Sequence, residues 1–318
     1  MKSVKTISFV AIVLSLIVIA GCGPTAKMAL NMSPESETIY KVVTESGKDY
    51  EFTQPSLNKS KVQNTGSRTE ITFAQKVTDV DVNGNATADI TIKSIKTISQ
   101  SQKGVNYEFD SISEKAKADD LFALIGATYK ISIAKNGEVK TLDASAARKA
   151  VKKGMARKVA SKLLSDAEIK SRHQILAFID ADKGQCKVGQ SWSSLAASPP
   201  GMLKAKSFEK IYTVESMTEK GDDTIAMIKM NAVPSSKRAP GAKDESAGMG
   251  LFANMFDESN EFTGTMLINL TAGEIMSYNE DLQAQWVAVE PSADVDSDKG
   301  PDQLTMGFTH LFSIEKIQ

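Results

Sequence analysis

Alternation of period two, broken at short intervals by turn pairs, limits what this chain can fold into more than any other feature. Ile39, Lys41 and Val43 alternate with Tyr40, Val42 and Thr44. Glu70-Ile71-Thr72-Phe73-Ala74 continues in that style, and Ala88-Asp89-Ile90-Thr91-Ile92-Lys93-Ser94-Ile95 reads as an amphipathic strand. Tyr129-Lys130-Ile131-Ser132-Ile133 is another. Successive side chains of a strand point to opposite faces, so such a pattern buries one face and wets the other. Turn pairs are read at Ser46-Gly47, Asn83-Gly84, Lys103-Gly104 and Asn136-Gly137. Strands separated by so few residues pair antiparallel, as hairpins and meanders.

The middle of the chain changes period. Asp143 is placed to cap a helix from about Ala144 to Leu164, with Val151, Met155, Val159 and Leu163 as one apolar stripe. Arg148, Lys149, Lys152, Lys153, Arg157, Lys158 and Lys162 occupy its other faces. Ser165-Asp166-Ala167-Glu168 reads as a capping box that opens a second helix running through Ile179, with Ile175, Leu176 and Ile179 apolar. After Gly189 the strand pattern resumes at about 207–217, 223–232, 261–271, 274–288 and 303–317. Residues 234–250 and 291–302 read as loops.

The fold class expected is therefore mainly β (α+β): an antiparallel, curved sheet or half-barrel with two helices inserted near the middle. Residues 127–139 align with 264–275 as strand, Gly-Glu turn and β-branched residue, which fits either a duplication or the ordinary likeness of two hairpins.

The N-terminus speaks to location. Lys2 and Lys5 precede an apolar run from Thr6 to Ala20, and Ile19-Ala20-Gly21-Cys22 closes it. The pattern resembles the export signal and lipobox of bacterial lipoproteins. That resemblance implies acylation of the Cys22 thiol, cleavage before it, and a membrane lipid anchor. A transmembrane helix is a poorer reading, since about 15 apolar residues fall short of the roughly 20 a bilayer needs. Ordinary signal-peptidase cleavage wants small residues where Ile19 stands. A buried core helix fits poorly behind two lysines at the extreme terminus. Gly23, in place of an Asp, favours the outer membrane where the cell has two.

On this reading the chain divides into a signal peptide (1–21), a lipidated tether (22–36), an N-terminal antiparallel β region (37–142), a helical insert (143–182) and a C-terminal antiparallel β region (183–318). The two β regions form one composite domain or two pseudo-repeated halves. Fully extended, the tether reaches about 50 Å at roughly 3.5 Å per residue. Loss of Lys2 and Lys5 with the signal leaves 36 basic against 39 acidic residues, with no global basic field for nucleic acid. If Cys22 is acylated, Cys186 has no intramolecular partner; Lys183 and Lys187 stand where they could lower its pKa, but with no histidine nearby a buried or half-buried structural cysteine is the better reading.

Further resemblance lies in Tyr107-Glu108-Phe109-Asp110-Ser111 and Val188-Gly189-Gln190-Ser191-Trp192. These are similar to an aromatic-x-Asp-Ser step and a Val-Gly-x-Ser-Trp step in uncharacterised bacterial lipoproteins. That family implies no activity. The layout also resembles the half-barrel of LolA/LolB lipoprotein carriers, where a curved sheet wraps helices around an apolar cavity; this is likeness of architecture alone.

Candidate chemistry is thin. Asp79-Val80-Asp81-Val82-Asn83-Gly84-Asn85 imitates the start of an EF-hand loop, but Ile90 stands where a bidentate Glu is needed, and a hairpin turned at Asn83-Gly84 fits better. Asp294 to Gly300 is a second near miss, read as a solvated acidic loop. The basic helix 144–164 reads as packed on the sheet with a solvated outer face, with contact to anionic headgroups as the rival reading. Nine of the thirteen methionines follow residue 200, among them Met217, Met227, Met230, Met266 and Met276. They suit core filling or an apolar pocket. His173 falls on a helix and His310 in the last strand, and no G-x-S-x-G, H-E-x-x-H or P-loop pattern is present.

No catalytic, metal or cofactor residue is assigned. Cys22 is the one site, for lipidation. The expected role is non-enzymatic: binding a hydrophobic small molecule or lipid, or an envelope structural role. The alternatives are partner recognition in an envelope assembly and a carboxylate-based envelope hydrolase. A carrier requires an enclosed cavity lined by Met, Ile and Leu. A hydrolase requires carboxylates converging in a cleft.

Overall fold

The computed structural model describes residues 26–178, 185–203, 207–240, 242, 255–290 and 300–317. Fourteen strands follow in chain order: β1 (Ala26–Lys27), β2 (Glu37–Gln54), β3 (Lys59–Val80), β4 (Ala86–Ser101), β5 (Gly104–Asp110), β6 (Thr128–Ile133), β7 (Val139–Asp143), β8 (Gln185–Cys186), β9 (Ser191–Ala197), β10 (Ser207–Lys220), β11 (Asp223–Ser235), β12 (Asp257–Asn269), β13 (Glu274–Val289) and β14 (Gln303–Lys316). Twelve make one sheet, ordered β7-β6-β4-β3-β2-β14-β13-β12-β11-β10-β9, with β5 also on β4. Every pairing is antiparallel. The sheet is curved and unclosed. It consists of two meanders, joined where the first long strand lies beside the last: Val42 is opposite Ile314 and Ser46 opposite His310.

The expected mainly-β class is what forms, with three short α-helices where two were expected. These are α1 (Ser145–Ala150), α2 (Gly154–Leu163) and α3 (Asp166–His173), followed by a 3-10 turn at Leu176–Phe178. The single helix read over 144–164 breaks because Val151 leaves helical geometry to bury itself, and Gly154 takes φ +72°, which only glycine adopts cheaply. The Arg157 guanidinium then takes the carbonyls of Arg148 and Val151 that the break frees. The buried stripe of α2 is Ala156, Ala160 and Leu163, so Met155 faces outward, contrary to expectation. Small alanines let the helix lie close. The capping box at α3 forms as read: Ser165 Oγ accepts from Glu168 N at 3.2 Å.

Three turn pairs sit where expected. Ser46-Gly47 does not turn. It lies inside β2, opposite Ser67-Gly66 and His310-Thr309. Here glycine marks a close approach: a Cβ on Gly47 would come within 2.7 Å of Thr309 Oγ1. Both segments of the proposed repeat fold as hairpins, β6–β7 at the sheet edge and β12–β13 within it. Residues 26–36 lie along the body, where a free tether was read: β1 pairs with β8, Met28, Leu30 and Met32 pack on the core, and Asn31 N donates to Gly273 O at 2.9 Å.

The EF-hand likeness resolves as a hairpin. One Asp81 carboxylate oxygen accepts from Asn83 N (2.8 Å) and Asn85 N (2.9 Å), the other from Asn85 Nδ2 (2.9 Å), and this holds its pKa down. Of the acidic stretch 294–300, all but Gly300 lies outside the described residues.

Candidate functional site on the concave face

The two meanders share one apolar face but fill it differently. In the first, the helices supply the filling. Phe73 packs edge-on against His173, with ring centroids 4.6 Å apart, and Phe178 stacks over the β6–β7 turn at Gly137. Buried Arg172 donates to Tyr129 Oη at 3.2 Å and to Leu163 O at 2.7 Å. Because Tyr129 accepts there, its own proton goes to His173 Nε2, 2.7 Å away. His173 is therefore neutral, with its proton on Nδ1. Burial first, and the Arg172 charge second, push its pKa well below the ordinary value.

The second meander fills itself. Lys210 on β10 reaches Glu280 on β13, three strands away. In a flat sheet those strands would be about 14 Å apart, beyond the reach of the two side chains, so the sheet must curl here. Both side chains are buried, at 7% and 11% exposure. Tyr278 donates its hydroxyl proton to the same Glu280 oxygen, and Lys210 Nζ lies 4.7 Å above the Phe262 ring. Tyr212 stands against Tyr278 and stacks on Trp192. Burial, then the Glu280 charge, pushes the Tyr278 pKa well up, so it stays a donor. His310, on the same face, is held below the ordinary histidine value, mainly by burial. Trp286 and Phe208 complete the filling, and Trp286 Nε1 has no hydrogen-bond partner among the described residues.

His310 leads out of this cluster onto a polar stretch at the centre of the sheet. Register places Thr44, Thr69 and Thr97 in one cross-strand row, Ser46, Ser67 and Ser99 in the next, and Lys48, Thr65 and Ser101 in a third. Within the rows Thr69 Oγ1 and Thr97 Oγ1 are 2.9 Å apart, and Ser46 Oγ and Ser67 Oγ 3.0 Å. An open cavity of about 210 Å³ lies over Ser46, Lys48, Thr65 and Ser67. A second, of about 280 Å³, lies on the opposite face near Lys229, Asn231, Thr263, Thr265, Asn279 and Asp281. Both are lined mainly by polar residues. This polar ladder was missed in the sequence. Its signal was there as Thr44-x-Ser46-x-Lys48, Thr65-x-Ser67-x-Thr69 and Thr97-x-Ser99-x-Ser101, hydroxyls at strand spacing on the buried phase.

Other candidates take structural roles. Met202, Met230 and Met266 are core, whereas Met276 is exposed. Cys186 is buried against β1, as the structural reading of this residue has it, and burial pushes its thiol up to about 11, which leaves no lowering by nearby lysines. In the first resembling step, Ser111 Oγ accepts from Ile95 N at 2.9 Å and ties β5 to β4. In the second, Trp192 Nε1 donates to Ala177 O at 2.9 Å and ties β9 to the helical insert. Among the described residues, no three His, Cys, Asp or Glu side chains gather as metal ligands, and no helix is long and apolar enough to cross a membrane. Cys22 lies outside the described residues.

No family model matches the sequence, and no curated protein matches it. Among solved structures, one described as lipid–protein interactions in lipovitellin is similar at 9% identity and a TM-score of 0.44, over 90% of this chain and 25% of that one. Pseudomonas aeruginosa OpdQ is similar at 6% identity and a TM-score of 0.22, over 89% of this chain and all of that one. Pseudomonas aeruginosa OpdL is similar at 7% identity and a TM-score of 0.20, over 89% and 99%. The chain spans about a quarter of the lipovitellin chain.

Proposed function

We propose that this chain is a lipid-anchored protein of the bacterial envelope with a non-enzymatic binding role, and that it recognises a polar envelope partner on the open stretch of its concave face. One observation carries this reading. The apolar part of that face is filled, by helices in one meander and by Trp286, Phe208 and the Lys210–Glu280 pair in the other. The two rows beyond it, Ser46, Ser67 and Ser99 and then Lys48, Thr65 and Ser101, are left half-buried or exposed. A filled interior speaks for a partner held at the surface over an apolar ligand held inside. The Glu280 carboxylate on this face is taken up by Lys210 and Tyr278. The anchor at Cys22 rests on the lipobox.

A photo-crosslinking residue placed at Ser67, compared with one at the exposed Lys220 at the end of β10, five strands along the sheet from β2, tests this in the native host. Crosslinks to one envelope component from position 67 alone are expected. Equal crosslinking from both positions, or none from 67, would overturn the assignment of the surface.

A further inference from the structure

We infer that the outer face of α1–α2 is a docking surface for anionic phospholipid headgroups, holding the helical insert against the membrane; the inference rests on the lipid-anchor reading for its orientation. Residues 140–170 carry nine basic and three acidic residues in a chain of net charge −1. Lys149, Lys152, Lys153, Lys158 and Lys162 are all exposed. None has an ion-pair partner among the described residues. Two of the three nearby acids are occupied elsewhere: Asp166 pairs with Arg148, and Asp143 accepts from Ser145 N at 2.8 Å. On the sheet, Lys41, Lys76, Lys96, Lys130, Lys229 and Lys316 each meet a carboxylate, and the strand lysines without one, such as Lys59, Lys93 and Lys220, are spread over several strands, whereas the five of the insert fall within fourteen residues.

A second observation fixes the kind of partner. Met155 is 49% exposed in the middle of these lysines, and Leu142 is 52% exposed at the end of β7. At 100° per residue, Met155, Lys158 and Lys162 share the face of α2 opposite buried Ala156, Ala160 and Leu163. An apolar side chain ringed by unpaired cations suits the headgroup layer, where cations meet phosphate and a thioether reaches the first carbons. The third argument is reach. Cys22 precedes pinned Ala26 by four residues, about 14 Å of extended chain. Ala26 is held on β8, the strand that directly follows the helical insert. The anchor thus keeps the body within one short segment of the bilayer.

The test uses the full lipidated chain carrying Met155→Trp, on vesicles of phosphatidylcholine alone or with one-third brominated phosphatidylglycerol. Strong quenching of the added tryptophan is expected on the anionic vesicles, against an unlabelled anionic control, with no blue shift on the neutral ones. Adding Lys158→Gln and Lys162→Gln should lower the docked-to-undocked ratio about thirtyfold, near fivefold for each lysine. Both positions are exposed, so folding should be unchanged. Absence of quenching on anionic vesicles, or a ratio insensitive to the two lysines, overturns the docking surface. Flotation reports the anchor separately: a chain that floats with neutral vesicles but shows no quenching keeps the anchor and loses the surface. A chain that floats only with anionic vesicles and is quenched there keeps the surface and loses the anchor.

Discussion

The two meanders are built from the same alternation and reach solid cores by different routes. In the first, β2 to β7, the sheet stays open enough to admit a separate stretch of chain, and the Tyr129–Arg172–His173 trio fixes α3 onto it. In the second, β9 to β14, the sheet curls until its own side chains meet, with a buried Lys210–Glu280 pair at the meeting point. The difference teaches that a period-two pattern decides which side chains share a face, while curvature decides what they touch. In the helix-filled half the buried Arg172 contacts join separate elements. In the self-filled half the buried Lys210–Glu280 contact joins strands of one sheet, so a defect there should loosen the curl itself.

The largest effect should come from Lys210→Met. It leaves Glu280 buried without its cation and should cost about 3–5 kcal/mol in urea unfolding. The pair Lys210→Met with Glu280→Leu should recover most of that loss, because two apolar side chains need no partner. A harmless single change would mean that the curl does not depend on this pair. Arg172→Met should cost less, about 2–3 kcal/mol, since it strands the Leu163 carbonyl and weakens the Tyr129 contact. Hydrogen exchange should then quicken in α3 while β10 to β13 stay protected. Uniform quickening throughout would erase the distinction between the halves.

Acid sharpens the comparison further. His173 and His310 are both held neutral below their ordinary value, one in each half. Below pH about 6.5 the unfolded chain gains protons that the folded one refuses, so stability falls as pH falls. The slope should reach at most about 1.4 kcal/mol per pH unit for each histidine. Replacing His173 with Gln should remove its share and leave that of His310. A flat stability profile from pH 7 to 5 would contradict burial of either ring. The smallest expected effect is Ser165→Ala, about 1 kcal/mol from the lost cap of α3, read from the same urea midpoints.

Strand identity was legible because alternation and turn chemistry are local. The five C-terminal strands fall close to their expected places, and the hairpins at Asn83-Gly84 and Asn136-Gly137 turn as read. Ser46-Gly47 misled because glycine serves close strand approach as readily as turns, and only Thr309, more than 250 residues away, distinguishes the two. The helix break at Val151 was hidden for a similar reason: the pull on Val151 comes from tertiary burial. Lys210 and Glu280 lie on the inward phase of their strands, with Phe208, Tyr212 and Val214 on one side and Tyr278, Leu282 and Trp286 on the other. A charged residue at such a position is visible in the sequence, but its partner three strands away is not. The hydroxyl rows were likewise written in three separate segments, and pairing alone brings them together.

The claim most open to direct test is that the interior is filled and that recognition happens outside it. Native mass spectrometry of the protein extracted from its own host membranes addresses this. The expected mass is the chain from Cys22 with its covalent acyl groups and nothing further retained in the body. A stoichiometric non-covalent lipid that survives transfer, and is lost on unfolding, would contradict it and show that the curved sheet opens to hold an apolar ligand.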